Sequence, residues 1–344
     1  MALSSRMTNT LRALDLFAGT GWGVAAQRLG IEEYGVEIMP EAVATREAAG
    51  MMTAYRDVWD GLADPTLIPE HDLLIASPPC QTFSMAGKGS GRRALDDVLA
   101  LIASGAWLRD GTALRDAARE AGLDDRTALV LSPLAYAAQT SPTYIALEQV
   151  PTVLPVWEAV GDVLRELGYS VAVGVLSAEQ YGVPQTRKRA ILVARRDSVE
   201  AALPTPTHSR YYARDPLRLD AGLPRWTSMA EALRFDDGVA PVGALQGDDP
   251  AAMRWAWEKP ASTIVGSFCP DVVSSPGGSG TRPTDVSRHR QDRPGSIKVT
   301  AEQAGVLQSY PADFPFQGSK TKRFLQIGNA VPPLLAEAVL RTFL

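Results

Sequence analysis

Cysteine is nearly absent: the 344-residue chain has two, Cys80 and Cys269. Two thiols are too few for a disulfide framework to organise the chain, and their scarcity points to a reducing compartment. Histidine is as scarce. His71, His208 and His289 are isolated, and no spacing of His and Cys resembles a zinc site, so no metal is expected. No apolar run is long enough to cross a bilayer, and the opening MALSSRMTNTLRALDLFAG lacks the apolar stretch of a signal peptide. The expectation is a soluble, cytoplasmic protein with no membrane partner. Excess positive charge is also missing. The formal net charge is −5, which argues against a wholly basic surface but not against a basic cleft on an acidic body.

What positive charge there is comes in groups: Lys88, Arg92 and Arg93; Arg187, Lys188, Arg189, Arg195 and Arg196; Arg282, Arg288, Arg290 and Arg293; Lys320, Lys322 and Arg323. Any one of these groups could be no more than a solvated face. The hydrophobic share, 45%, suffices for a large core in one big domain or two smaller ones.

Residues 1–196 alternate strand and helix signals. Leu11 to Phe17 reads as a buried strand ending in a glycine-rich turn, and Val24 to Leu29 as the helix after it. Tyr34 to Glu37 is a second strand and Glu41 to Ala49 an Ala- and Glu-rich helix. Further strands are predicted at Asp72 to Ser77, Tyr144 to Val150, Ser170 to Leu176 and Ala190 to Ala194, with an amphipathic helix from Val153 to Leu167. Strands alternating with helices imply an α/β fold, a doubly wound, mostly parallel sheet covered on both faces. Two stretches break the rhythm. Residues 86–124 hold GKGSGRR and a helical part, Leu95 to Ala121. Residues 197–299 are rich in Pro, Arg, Gly and Ser with weak periodicity, which predicts a smaller, irregular domain. After residue 300 a helix pattern returns, then the loop QIGNAVPP and a last helix, LLAEAVLRTFL. The predicted organisation is one domain of 1–196 plus 300–344 and a second of 197–299.

Four places carry chemistry. DLFAGTGWG, Asp15 to Gly23, puts glycines after a strand, where the backbone can pass close to a ligand at a helix N-terminus. Glu37, ending the next strand, can accept both hydroxyls of a ribose. A tight structural turn would give the same glycine pattern. SPPCQTFS, Ser77 to Ser84, places Cys80 after two prolines at the mouth of a buried strand. Isolated cysteines are usually small core residues. A loop position beside a ligand crevice suits a nucleophile instead, given donor or positive groups nearby. Glu148 lies at the end of a fourth strand, where partial burial would favour a bound proton, although a helix-capping carboxylate would look alike. Arg187 and Arg189 would point the same way if their strand starts early, and could reach a carbonyl or phosphate.

These motifs resemble those of the cytosine carbon-5 DNA methyltransferases. DLFAGTGWG is similar to the family's first cofactor motif, SPPCQTFS to its Pro-Cys motif, and Asp125-Arg126 with the following Thr-Ala-Leu to its Arg-containing helix motif. LEQV is similar to Glu-Asn-Val, QTRKR to Gln-x-Arg-x-Arg, KPASTI (259–264) to the motif closing the recognition region, and QIGNAVPP to the last motif. Seven matches in family order span most of the chain. The resemblance implies an S-adenosylmethionine-dependent methyltransferase fold and transfer of a methyl group to carbon-5 of a flipped-out cytosine in double-stranded DNA. Cys80, Glu148, Arg187 and Arg189 would be catalytic. Phe17, Gly19, Gly21, Glu37, Asp57 and Asn329 would line the S-adenosylmethionine site, with Asp57 accepting from the adenine amino group. Lys88, Arg92 and Arg93 would meet DNA phosphates from a mobile loop. A monomer associated with the nucleoid would suffice. Two other readings stay open: the same chemistry on tRNA, and a non-catalytic DNA-binding relative. Three departures stand out: Gln149 in place of the family Asn, an additional segment between Cys80 and Arg126, and a short recognition region before residue 259.

Overall fold

The computed structural model describes residues 10–79, 89–234, 259–264 and 300–344. Its centre is a seven-stranded sheet in the order β3-β2-β1-β4-β5-β8-β6. The strands are β1 (Arg12–Leu16), β2 (Glu32–Val36), β3 (Met52–Tyr55), β4 (Leu73–Ala76), β5 (Tyr144–Gln149), β6 (Ser170–Ser177) and β8 (Lys188–Arg195). The first five pair in parallel, and β8 runs antiparallel between β5 and β6. The sheet is thus mostly parallel, as the sequence pattern predicted.

Both faces are covered, which is why the central strands are apolar throughout. Leu14, Leu16, Leu74, Ile145, Leu147 and Leu192 face one core. Their alternating neighbours Ala13, Leu73, Ile75, Ala146, Ile191 and Val193 face the other. On the first face lie α3 (Val58–Ala63), α4 (Gly89–Ala103), α5 (Gly111–Glu120), α6 (Asp125–Ala128), α7 (Ser132–Thr140) and α8 (Leu154–Glu166). The second carries α1 (Gly21–Leu29) and α12 (Pro333–Leu340), with α2 (Pro40–Ala48) beside β3.

Several elements differ from the sequence expectation. The helix after the glycine turn starts at Gly21 rather than Val24, because Thr20 O already accepts from Val24 N at 3.0 Å. The single helical part expected at Leu95 to Ala121 is two helices. Gly105 takes a left-handed φ of 72°, and Asp110 restarts the helix by accepting from Ala113 N at 2.9 Å. This segment is no appendage: Val98, Ile102, Trp107, Leu114 and Ala118 are buried in the first core. QIGNAVPP is not all loop. Gln326 to Asn329 form the last turn of α11 (Lys320–Asn329).

Of the predicted irregular region, the described parts are 197–234, with the short helix α9 (Met229–Leu233), and 259–264, with strand β9 (Ala261–Ser262). That strand pairs in parallel with β7 (Gln185–Thr186), which directly precedes β8. The chain then returns through α10 (Ala301–Leu307), α11 and α12 to cover the start of the sheet. Among the described residues no helix is long and apolar enough to cross a membrane.

Candidate active site

The carboxyl ends of β1, β2, β3, β4 and β5 share one edge of the sheet, and the antiparallel β8 enters at that same edge. Open α/β sheets bind ligands there.

After β1 the backbone turns sharply. Phe17 holds a left-handed φ of 61°, an uncommon conformation for a bulky residue, and Gly19 follows at 47°. Nothing lies within 4 Å of where a Cβ would stand on Gly19, so this side of the loop is open. Glu37 fixes the loop: its carboxylate accepts from Gly19 N at 2.9 Å and from Met39 N at 2.7 Å. Phe17, Gly19 and Glu37 therefore gather around one opening. Asp57, after β3, caps α3 by accepting from Trp59 N at 3.0 Å.

Gly21 has a different neighbour. A Cβ on it would stand 2.1 Å from Val331 O, so the segment after α11 is seated directly on the glycine loop. Tyr310 adds a second contact, Oη to Thr20 Oγ1 at 2.8 Å. Asn329 is exposed at the end of α11, next to that contact.

A buried charge cluster that the sequence reading did not single out supports the loop from beneath. Arg46 and Glu33 have side chains 0% and 4% exposed and pair at 2.8 Å. Arg46 also donates to Gly19 O at 3.1 Å, Met52 O at 2.6 Å and Thr53 Oγ1 at 3.1 Å. The available signal was helical spacing, since Ala42, Thr45 and Arg46 form the buried stripe of α2. Asp15 lies beside Glu33, fully buried, with no donor to either oxygen. Burial and the neighbouring Glu33 push its carboxyl well above the usual range, and a proton on Asp15 lets it donate to the Glu33 carboxylate, which already accepts from Arg46. A carboxyl raised in the folded state contributes stability that is present below its unfolded pKa and is lost as pH rises through the folded one. Asp15→Asn should therefore flatten the fall in melting temperature above the ordinary carboxylate range. Parallel slopes for the two proteins between about pH 5 and 8 would remove Asp15 as the source.

The other side of the edge lies at β4, β5 and β8. Ser77, after β4, is pinned by Leu16 O, which accepts from its N–H at 3.3 Å, and by Trp22 Nε1, which donates to its Oγ at 2.9 Å. Gln149 Nε2 donates to Pro78 O, and Gln149 Oε1 accepts from Val150 N at 2.6 Å. The amide that replaces the family Asn thus holds the backbone leading to Cys80. Cys80 and Lys88 lie outside the described residues. Arg92 and Arg93 fall in the first turns of α4, with Arg93 exposed.

Glu148 and Arg189 meet as the sequence placed them. Arg189 Nε stands 2.7 Å from Glu148 Oε1, with side chains 11% and 6% exposed. Arg189 Nη1 donates to Lys188 O at 2.7 Å. Arg187 does not join this pair: its side chain is buried and donates to Ile264 O at 2.9 Å, Gly328 O at 2.9 Å and Ala330 O at 3.2 Å. Its Nη1 and Nη2 donate to backbone carbonyls of this chain, and its buried Nε has no hydrogen-bond partner. Among the described residues, no group of three or more His, Cys, Asp or Glu is placed to hold a metal ion.

A doubly wound sheet with an antiparallel β8, a glycine loop after β1 and an acidic residue ending β2 defines a methyltransferase fold. Solved methyltransferases superpose on it along nearly the whole chain. Dnmt2 of S. pombe matches with a TM-score of 0.61 at 16% identity, covering 97% of this chain and 98% of that one. A putative DNA modification methyltransferase of an E. coli prophage matches at 0.57 and 18%, covering 97% and 98%. The chain belongs to the C-5 cytosine-specific DNA methylases, matched over residues 11–102, 116–223 and 278–344, and is an enzyme of the DNA (cytosine-5-)-methyltransferase class. Among its relatives are the type II methyltransferases M1.HphI of Haemophilus parahaemolyticus and M.NaeI of Lentzea aerocolonigenes. Each is 27% identical over 96% of this chain, covering 86% and 74% of the relative.

Proposed function

We propose that the protein methylates carbon-5 of cytosine in double-stranded DNA, using Cys80 as a transient covalent handle. The observation that carries this reading is the buried Glu148–Arg189 pair at the sheet edge, beside the Pro78 backbone that Gln149 holds.

Carbon-5 of cytosine is too electron-poor to attack an alkyl sulfonium unaided. Addition of the Cys80 thiolate to carbon-6 makes the ring an enamine and loads electron density on carbon-5. Glu148 presents a carboxyl group to ring nitrogen-3, where a shared proton draws charge away as the thiolate adds. Arg189, held by Glu148, presents N–H groups to the carbonyl at carbon-2. Loss of the carbon-5 proton to a base and expulsion of the Cys80 thiolate restore the ring. A base stacked in a duplex cannot reach these groups, so the target is flipped out.

The opening over Gly19 and the carboxylate of Glu37 suit a nucleoside, and Phe17, Asp57 and Asn329 flank the same edge. S-adenosylmethionine, when bound there, supplies an electrophilic methyl group. Gly21 belongs to this site through its packing on Val331. Residues 1–196 with 300–344 form the catalytic unit, and 197–299 form the recognition unit. Lys88, Arg92 and Arg93 contact phosphates. The protein works as a soluble monomer at the nucleoid, since one flipped base needs one active site. Type II relatives support a place in a restriction–modification system.

Transfer of label from the cofactor to duplex DNA and to tRNA tests the reading, and bisulfite sequencing of DNA from expressing cells gives the target. Label on duplex DNA supports it, label on tRNA alone replaces the substrate, and no label on either removes the activity. Affinity for duplex DNA should fall steeply as salt rises, because phosphate contacts release counterions. A flat titration would contradict the basic cleft.

A further inference from the structure

We infer that Arg187 is a positioning residue that locks the end of the recognition segment and the C-terminal end of α11 around Asn329 into one register, so that cofactor affinity and DNA affinity depend on the same side chain. What binds at each end rests on the methyltransferase reading above; the lock itself rests on geometry.

Arg187 occupies the single position between β7 and β8 and is 1% exposed. One side of its guanidinium reaches Ile264 O, 77 residues ahead in sequence, and the other reaches Gly328 O and Ala330 O, more than 140 residues ahead. Gln185 completes the grip. Its Oε1 accepts from Ile264 N at 3.0 Å, so both backbone groups of Ile264 are taken by two side chains two residues apart, Gln185 and Arg187. Its Nε2 donates to Gln308 Oε1 at 2.5 Å and Leu307 O at 3.3 Å. Gln308 in turn donates to Ala330 O at 2.7 Å, giving that carbonyl a second donor.

Three segments with no regular ladder between them thus have their buried backbone groups satisfied by three side chains, which is what a dry junction requires. A guanidinium suits the place because its planar fork spans two sides at once. A lysine ammonium is a single point on a flexible stem. Burial and the nearby Arg189 both work against the Arg187 charge, and the three carbonyl dipoles together with the Glu148 carboxylate offset that desolvation cost.

Both ends lead to binding elements. On one side Ile264 follows β9, whose neighbours Thr263 and Ala261 hydrogen-bond to Thr186 O and Pro184 O, and Lys259 O accepts from Met229 N of α9. On the other side Val331 rests on Gly21 of the glycine loop. A shift of Ile264 against Ala330 would therefore move the recognition segment and the cofactor loop relative to each other.

The test uses the full chain with Arg187→Met, Arg187→Lys and Gln308→Leu. Readouts are amide hydrogen exchange, binding of S-adenosylhomocysteine and of duplex DNA, and single-turnover transfer. Arg187→Met should speed exchange at 259–264 and 326–333 together and weaken both affinities by about tenfold, within the usual range of coupling between sites. The transfer rate at saturating cofactor and DNA should fall less than either affinity. Arg187→Lys should resemble Arg187→Met. Gln308→Leu removes the second donor to Ala330 O and the acceptor of Gln185 Nε2 but leaves both hydrogen bonds to Ile264 in place; it should weaken cofactor more than DNA and covers the case in which the Arg187 variants do not fold. The inference is overturned if the transfer rate collapses while both affinities hold, since Arg187 would then touch substrate. It is equally overturned if only one segment exchanges faster, if lysine restores both affinities, or if melting temperature falls with neither affinity moved. A wild-type chain that binds neither ligand would defeat the methyltransferase reading, while the exchange arm would still decide whether the lock exists.

Discussion

Glu148→Gln is expected to lower methyl transfer by roughly 10²–10⁴-fold, the usual cost of losing a positioned acid–base group. Glutamine keeps the shape of the side chain and can still accept from Arg189 Nε, so the crevice should survive. It cannot share a proton with ring nitrogen-3 in the same way, and the thiolate would then add to a ring that cannot spread its charge. The substitution also leaves the Arg189 guanidinium without its carboxylate at an 11% exposed site. Losing one partner of such a pair costs stability, although Lys188 O retains a hydrogen bond from Arg189. Single-turnover transfer and melting temperature measured on the same sample separate the two effects. Turnover within a few-fold of wild type in a folded protein would remove Glu148 from the chemistry.

Cys80→Ala should abolish transfer outright, yet leave cofactor affinity within about tenfold, because the thiol acts only in the chemical step. The structure supports the assignment through the approach to Cys80. Ser77 is held from two sides and Pro78 from a third, by Leu16, Trp22 and Gln149. A chain delivered so rigidly to a sheet edge suits a group that must meet one ring carbon. A duplex carrying 5-fluorocytosine checks the covalent step separately, since fluorine cannot leave carbon-5 as a proton and the adduct should persist through denaturation. Cys80→Ala with measurable turnover, or a wild-type enzyme that leaves no adduct, would sink the assignment.

The placing of Glu148 and Arg189 at one sheet edge was legible in sequence because each ends or begins an apolar strand, and strand ends of such sheets converge; the ion pair between them was not. The glycine loop and Glu37 were legible for the same reason. Edge strand β3 and helix α3 were not. MTAY is short, half-exposed and weakly patterned, and only its parallel pairing with β2 makes it a strand. Arg187 looked like a substrate contact because residue type and spacing are blind to where donors go. Its three acceptors lie 77 to 143 residues away, a distance no local pattern spans. Gly21 has a similar history: the motif suggests a ligand, while its close neighbour is the Val331 carbonyl. Arg46 was hidden in an ordinary amphipathic helix, and its role emerged only when Glu33 and Gly19 O converged on it.

The seating of Val331 on Gly21 also sets an order of events during synthesis. The glycine loop precedes the segment that covers it by about three hundred residues, and synthesis at roughly 5–20 residues per second separates the two. Until then the second face of the sheet lacks α12 and the loop lacks its backing. A chain ending before Val331 would have Glu148 and Arg189 in place but a glycine loop without the carbonyl seated on Gly21.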